Sequence, residues 1–217
     1  MTLSIGTTGW LHPQWRGGFY PLDLPAGEWA RYYAEQFDAI EVPGRLVAPR
    51  GALAARVWTD CPRVVLNSIG PVLLRLTSAV PARRAFVMGV LDDIPESLAV
   101  AVELVGDEWH RRDVTTWLSR RGCVPCWSDR RPHWLDRPRR TADWYYLRFY
   151  RPLAAGEATR WTQAIAATYG ADATGYAFFT DPQTALAEAV RFADAAAAAG
   201  LHPSRVPGRS PAGLVPS

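Results

Sequence analysis

Three charged residues, Glu41, Glu103 and Arg148, stand near the ends of short apolar runs, although they are far apart in the sequence. In parallel α/β folds, the groups that do chemistry lie at the carboxyl ends of the strands. Two carboxylates can divide the roles of acid and base, and a guanidinium can hold an anionic group by two-point contact. In the structural alternative, Arg148 only neutralises the two glutamates inside the fold.

The segment at residues 5–21, IGTTGWLHPQWRGGFYP, follows an apolar run with an unusual density of aromatic side chains. His12 is a candidate acid or base, because imidazole readily exchanges a proton near neutral pH. Trp10, Trp15 and Tyr20 are candidate ligand-binding residues that could form an aromatic wall for a sugar ring or a base. The alternative for all four residues is a lid packed on the fold.

A basic loop is expected at residues 129–141, which contain five arginines and two prolines. Its candidate contacts for phosphate or single-stranded nucleic acid are Arg130, Arg131, Arg137, Arg139 and Arg140, with Trp127 and Trp134. Solvated charge in a surface loop is the alternative interpretation.

Cys123 and Cys126 have the spacing of some redox and zinc motifs. Within a strand, however, residues three apart point to opposite faces, and no paired histidines supply further ligands. His110 could act with Glu103 as a proton shuttle or metal ligand, although a solvated loop histidine is the commoner outcome. The sequence therefore predicts neither a metal nor a cofactor.

Short β-rich runs alternate with helical patterns, which predicts parallel strands joined by crossover helices. Strands are expected at residues 3–6, 39–42, 63–68, 72–76, 98–104, 123–127, 144–149 and 175–179. Helices are expected at residues 28–36, 50–59, 82–92, 112–121, 157–168 and 182–199. Eight such steps predict a TIM-barrel-like (β/α)8 fold, with residues 1–200 as one domain.

The predicted barrel is irregular around its third and fourth strands. Few residues separate residues 63–68 from residues 72–76, whereas adjacent parallel strands need a crossover of about a dozen residues or more. The barrel should be incomplete or distorted there, through one broken strand or a hairpin. Residues 201–217, with four prolines and few large apolar residues, are expected to form a disordered tail.

The composition of the 217 residues excludes several classes of protein. All 24 basic residues are arginine, so chemistry that requires lysine, such as Schiff-base formation or a Walker phosphate loop, is excluded. A net charge of +3 does not by itself indicate nucleic-acid binding. The three cysteines form no disulfide pattern, and neither a long apolar run nor a signal peptide is visible, which predicts a cytoplasmic protein.

The aromatic segment closely resembles the motif of the YecE-like family, also called domain of unknown function 72. The matching residues are Gly6-Thr7-Thr8-Gly9-Trp10, Trp15-Arg16-Gly17, Phe19-Tyr20-Pro21, Leu24-Pro25, Trp29, Tyr32-Tyr33-Ala34, Phe37-Asp38-Ala39-Ile40-Glu41, Gly70-Pro71-Val72-Leu73-Leu74, Val102-Glu103, Trp109, Thr141-Ala142-Asp143 and Arg148. The resemblance implies a TIM barrel and no established activity.

The chain resembles a divergent and shortened member of that family. After Glu41, the family's Asn-Ser-Thr-Phe-Tyr is replaced by a run that begins with Val42-Pro43-Gly44. Leu104-Val105-Gly106 replaces Phe-Arg-His, Tyr150-Arg151 replaces His-Gly, and Thr180-Asp181 replaces paired asparagines. A lysine near the end of the third strand and the helix after that strand are also missing. Much of the polar lining that the resemblance implies has therefore changed.

These observations predict a small polar or anionic ligand at the carboxyl-terminal mouth of the barrel. Arg148 and Asp181 are candidate binding residues, and Glu41, Glu103 and His12 are candidate catalytic residues. One alternative is a nucleic-acid-binding protein that uses the basic loop. Another is a non-catalytic scaffold whose mouth is filled by Val42, Leu46, Leu104 and Val105. No membrane partner is predicted, and the oligomeric state stays open.

Overall fold

The computed structural model describes residues 2–42, 70–76, 91, 98–104, 112–130, 135 and 140–208. The predicted strand at residues 63–68 and the predicted helix at residues 50–59 lie outside the described residues. Of the predicted helix at residues 82–92 only Leu91 is described, and it is helical.

The described strands are Leu3–Thr8 (β1), Ala39–Glu41 (β2), Val72–Leu76 (β3), Val100–Leu104 (β4), Val124–Ser128 (β5), Trp144–Phe149 (β6) and Thr174–Phe179 (β7). The described α-helices are Trp29–Gln36 (α1), Arg112–Arg120 (α2), Glu157–Tyr169 (α3) and Ala185–Ala198 (α4). Short 3₁₀ turns occur at Pro13–Trp15 and Ala26–Glu28.

The seven described strands form one curled sheet in the order β2-β1-β7-β6-β5-β4-β3. Every pair is parallel. This order is that of a half-barrel of the TIM-barrel-like class, with β2 and β3 as its two edges. The chain between those edges includes residues 43–69, which lie outside the described part. The eight-strand count and the distortion near the third strand therefore stay predictions.

Register brings polar residues of neighbouring strands to the same height near the carboxyl ends. Thr8 of β1 is paired with Glu41 of β2, and Arg75 of β3 is paired with Glu103 of β4. Ser128 of β5 is paired with Arg148 of β6. Because successive side chains alternate between the two faces of a strand, this register fixes which polar groups can meet.

Helix α4 illustrates how the sequence builds the outer layer of the fold. The alanine-rich α4 has high intrinsic helix propensity. Its buried residues recur every three or four positions and are Ala185, Glu188, Ala189, Phe192, Ala193 and Ala196. The chain leaves this helix through Gly200, whose φ of 80° belongs to the left-handed region that glycine tolerates. The helix therefore presents one apolar stripe to the sheet.

Gly6 allows the first two strands to approach closely. A Cβ atom placed on Gly6 would collide with the backbone carbonyl of Ala39 on β2. No side chain fits at this position, so β2 can lie close enough to β1 for Glu41 to reach Thr8.

The chain beyond α4 packs on the amino-terminal end of β1. Leu3 donates its amide hydrogen to His202, and Ser204 donates its amide hydrogen to Leu3. Leu201 and Val206 are buried. Residues 201–208 are thus ordered, which corrects the expectation of disorder from residue 201 onward. The rest of that predicted tail lies outside the described residues.

None of the helices formed by the described residues combines the length and apolar character that a membrane crossing requires.

Candidate ligand-binding site

Glu41 lies at the end of β2 and is surrounded by hydrogen-bond donors. Its Oε1 accepts from the hydroxyl of Tyr146 at 2.6 Å. Its Oε2 accepts from the hydroxyl of Thr8 at 2.6 Å and from Nε of Arg148 at 3.0 Å. The terminal nitrogen NH2 of Arg148 lies 2.9 Å from the same oxygen. Glu41 is therefore the acceptor at the centre of a hydrogen-bond network that joins β1, β2 and β6.

Arg148 joins the two glutamates that are distant in sequence. Besides Glu41 it approaches Glu103, with 3.7 Å between its NH1 and Oε2 of that residue. The side chains of Arg148, Glu41 and Glu103 are 11%, 10% and 3% exposed. Burial, the largest single influence, lowers the pKa of Arg148, but Glu41, Tyr150, Glu103 and Tyr146 together outweigh it and the net shift is upward. Arg148 therefore remains charged and balances the buried carboxylates.

Glu103, near the end of β4, receives hydrogen bonds from two other directions. Nε of Arg75 donates to its Oε2 at 2.5 Å. The hydroxyl of Tyr150 donates to its Oε1 at 2.5 Å, and this hydroxyl accepts from NH1 of Arg148 at 2.5 Å. Charge-assisted hydrogen bonds are characteristically short. The phenol of Tyr150 thus connects the two buried charges.

Tyr150 stands just beyond β6, where the chain is held by a buried carboxylate. Both oxygens of Asp129 accept the amide hydrogen of Tyr150, at 2.9 and 3.0 Å, and Oδ2 also accepts that of Arg151 at 3.0 Å. Burial raises the pKa of Asp129, an effect that these backbone donors only partly offset. Asp129 therefore fixes the backbone that carries the Tyr150 ring.

Three guanidinium groups approach the ring of Tyr150. The guanidinium carbon of Arg130 lies 3.6 Å from the ring centre, that of Arg148 lies 4.7 Å away, and that of Arg75 lies 5.8 Å away. We call Tyr150 and these three arginines the Tyr150 cluster. Burial, the largest influence, raises the pKa of Tyr150, and the positive charge of Arg148 only partly opposes it. The phenol accordingly keeps its proton at neutral pH.

Arg130 differs from Arg75 and Arg148 in its pairing. The carboxylates of Glu41 and Glu103 are matched by the guanidinium groups of Arg148 and Arg75. Arg130 is exposed and stacks on Tyr150, and within the described part of the chain it forms no ion pair. Among the described residues, Arg130 is therefore the guanidinium of the Tyr150 cluster that has no carboxylate within ion-pair distance.

The predicted aromatic wall is part of the hydrophobic core. Trp10, Trp15 and Tyr20 are 8%, 4% and 0% exposed. The hydroxyl of Tyr20 donates to the carbonyl of Trp10 at 2.8 Å, and its ring stacks on Trp29. Nε1 of Trp15 donates to the carbonyl of Pro182 at 2.5 Å. Packing accounts for these contacts, in agreement with the lid interpretation.

His12 lies at the same end of the sheet but bonds to the backbone. Its Nε2 is 2.9 Å from the carbonyl oxygen of Thr8, and its ring centre is 4.3 Å from that of Trp15. The described hydrogen bonds and ion pairs of His12 include none with Glu41, Glu103 or Arg148. Its catalytic role therefore stays a prediction.

Asp181 organises the turn that leads into α4. Its Oδ1 accepts the amide hydrogen of Gln183 at 3.0 Å, and its Oδ2 accepts from the hydroxyl of Thr184 at 3.1 Å. The helix begins at Ala185, three residues after Pro182, so Asp181 caps the preceding turn and not the helix itself. A ligand-binding role for Asp181 stays a prediction.

The two cysteines of the predicted motif are both buried, and neither is in a disulfide. Burial raises the pKa of both thiols, which keeps them protonated and weakens them as nucleophiles or metal ligands. His110 lies outside the described residues. In the described part of the chain no three histidine, cysteine, aspartate or glutamate side chains come together as metal ligands would.

The predicted basic loop is described only in part. Arg131, Trp134, Arg137 and Arg139 lie outside the described residues. Trp127 is fully buried, so its ring is not available to stack on a base. Arg140 pairs with Asp143 at 2.5 Å.

Sequence reasoning missed Arg75, Asp129 and Tyr150 as members of the site. An arginine in the apolar run Val72–Leu76 and a tyrosine two residues after Arg148 were the available signals. Their convergence depends on strand register, which those signals do not provide.

Comparison with solved structures shows the same fold in a DUF72 family protein from Thermotoga maritima, at a TM-score of 0.64 and 16% identity. The match covers 89% of this chain and 98% of that one. A DUF72 family protein from Enterococcus faecalis gives a TM-score of 0.47 at 14% identity, over 57% of this chain and 59% of that one. No curated protein matches the chain significantly.

The family model described as "Protein of unknown function DUF72" matches residues 4–60 and residues 44–211 of the chain. These two matches together extend over most of the 217 residues, and they agree with the motif at the end of β1 and with the half-barrel. The chain belongs to the DUF72 family.

Proposed function

We propose that this protein binds a small anionic ligand at the carboxyl-terminal mouth of its barrel, in contact with Arg130 and Arg75. The observation that carries the proposal is the guanidinium of Arg130, which stacks on Tyr150 at 3.6 Å and has no acidic partner among the described residues. Cation–π stacking holds a guanidinium in place while leaving its N–H groups available.

Arg148 takes a supporting role in this proposal. Its Nε and NH2 are bonded to Glu41 and its NH1 is bonded to Tyr150. A side chain with its nitrogens engaged in this way contributes to ligand binding by holding the Tyr150 ring and by balancing the carboxylates of Glu41 and Glu103.

If the ligand undergoes proton transfer, we assign this role to Glu103 and Tyr150. Glu103 is linked through a short hydrogen bond to the phenol, and the phenol is partly accessible. Glu41 is already saturated by donors from Thr8, Tyr146 and Arg148, so we assign it a structural role. A positioned acid or base must lie within hydrogen-bond reach of the group that it protonates.

The two alternatives find less support. The scaffold interpretation requires hydrocarbon at the mouth, whereas the described residues there form a charged network. Of its four filling residues only the Val42 side chain is described, and Val42 packs against the core. The nucleic-acid interpretation loses Trp127 as a stacking partner because that ring is buried.

Thermal shift measurements with a panel of small anions test the proposal. Anionic compounds should raise the melting temperature of the wild-type protein, because a ligand that binds only the folded state stabilises it. The variant R130Q should lose this shift. The matched control R31Q removes the same charge from an exposed pair with Glu28 on the outer surface and should keep it. Equal shifts in R130Q and R31Q would reject the proposed site.

A further inference from the structure

Two guanidinium groups at the Tyr150 cluster have donors without an acceptor among the described residues. Within that part of the chain Arg130 makes no hydrogen bond, and Arg75 uses only Nε, on Glu103. No described residue accepts from the terminal amino groups of Arg75 or from the fork of Arg130. A guanidinium fork binds oxyanions through two parallel N–H bonds.

Both cations are positioned before any ligand arrives. Arg75 is held by its Nε bond to the buried Glu103. Arg130 is held by stacking on Tyr150, whose backbone is fixed by the carboxylate of Asp129. Binding then immobilises few additional side chains, so more of the interaction energy appears as affinity.

The two forks belong to different strands and approach one ring. Arg75 lies within β3 and Arg130 follows β5, with β4 between them in the sheet. A single carboxylate has two oxygens, which one fork can occupy. A phosphoryl group has three terminal oxygens and nearly two negative charges, so it can be shared between two forks.

We propose that the ligand group held at the Tyr150 cluster is a phosphoryl group, bound between Arg75 and Arg130. This inference rests on the proposed function and narrows its ligand class. The phosphoryl group belongs either to a free phosphate ion or to a small phosphate monoester. In both cases the phosphoryl oxygens accept hydrogen bonds from the terminal guanidinium nitrogens, NH1 and NH2, of Arg75 and Arg130. The bonds between Arg75, Arg148 and Glu103 remain in place.

Calorimetric titration of the full chain with inorganic phosphate, glycerol 3-phosphate, acetate and malonate tests the inference. The titrations are made at about pH 8, where phosphoryl groups carry their second charge. We expect both phosphoryl compounds to bind at least about tenfold more tightly than acetate or malonate, a difference of about 1.4 kcal/mol. If glycerol 3-phosphate binds more tightly than inorganic phosphate, the ligand is a phosphate monoester. If the two bind equally, the ligand is the free phosphate ion.

Arginine variants test where phosphate binds. R130Q and R75Q should each weaken phosphate binding by about tenfold or more, whereas R31Q should not. R130K keeps the charge but loses the planar fork, and it should fall between the wild type and R130Q. R130Q decides the question if R75Q does not fold, because Arg130 forms no ion pair in the described structure.

The outcomes separate this inference from the proposed function. Malonate binding as tightly as phosphate, with its affinity lost in R130Q, would overturn the phosphoryl assignment and leave the anion site standing. Phosphate affinity that is unchanged in R130Q and R75Q would overturn the assignment to these residues. Absence of binding by every anion would overturn both proposals.

Discussion

At the scale of single residues, the charged network at the carboxyl ends of the strands depends on Arg148, whose side chain is largely buried. Arg148 bonds directly to Glu41 and lies within ion-pair distance of Glu103. A charge buried in this way is tolerated only because opposite charges and hydrogen bonds replace the lost water. Arg148 is thus the shared cation on which the packing of both glutamates inside the fold depends.

Replacement of Arg148 tests this dependence. R148A leaves two buried carboxylates without their shared cation, and the removal of one partner of a buried pair typically costs about 3–5 kcal/mol. We expect the free energy of unfolding, measured by urea denaturation, to fall by about that amount. A loss below about 1 kcal/mol would contradict the buried network.

Glu157 provides a second test at this scale, outside the mouth. Arg151 donates to both of its oxygens at 2.8 and 2.7 Å, and the amide of Ala154 donates at 2.8 Å. Hydrogen bonds from Arg151 lower the pKa of Glu157 below its ordinary value. A carboxyl whose pKa is lower in the folded state stabilises the protein above its unfolded pKa, about 4.3, and loses this contribution as the pH falls.

The variant E157Q should therefore change the acid limb of the stability curve. Its melting temperature should fall less steeply than that of the wild type as the pH drops below about 4.3, because the amide cannot titrate. The two proteins should differ most near neutral pH and converge in acid. Parallel curves through this range would show that the pair with Arg151 does not stabilise the folded state.

At the scale of elements, the site results from strand register. Adjacent parallel strands bring Thr8 to Glu41 and Arg75 to Glu103, so each carboxylate has its first donor on the neighbouring strand. A shift by one residue would turn every one of these side chains to the other face. The sheet therefore positions the charges more firmly than the loops could.

The segment after α4 also acts at this scale, because it extends the hydrogen bonding of β1. Val206 is 1% exposed within this segment, whereas the side chain of His202 is exposed. Truncation of the buried valine in V206A should lower the free energy of unfolding by about 2 kcal/mol. The control H202A should change it by less than about 0.5 kcal/mol. Equal effects of the two variants, measured by chemical denaturation, would show that the segment is not part of the core.

At the scale of the whole molecule, the alternation of strands and helices predicted a parallel, barrel-like α/β fold, and the resemblance of the aromatic motif after β1 predicted the family. The strands predicted at residues 72–76 and 144–149 have those bounds in the structure. The start of α4 was placed too early, because Asp181 caps a turn before the helix. Apolar periodicity is strong inside an element and weak at its ends, which explains this difference.

The candidate site was predictable only in part. Glu41, Glu103 and Arg148 could be ranked because each marks a strand end, and the structure brings them together. The Tyr150 cluster could not be predicted, because the contact between Arg130 and Tyr150 joins the ends of two strands whose register the sequence does not state. The aromatic residues after β1 were ambiguous for a different reason, since buried and ligand-binding tryptophans have the same local pattern.

Arginine side-chain NMR with added phosphate tests the account most directly. The Nε–H signals of Arg75 and Arg130 should shift along one saturable curve, and that of Arg31 should not move. Each of the variants R75K, R130K and R31K lacks the signal of the arginine that it replaces, and this loss assigns the three signals. Saturable binding that leaves the Arg130 signal unchanged, or that shifts all three signals equally, would contradict the placement of the anion site at Tyr150.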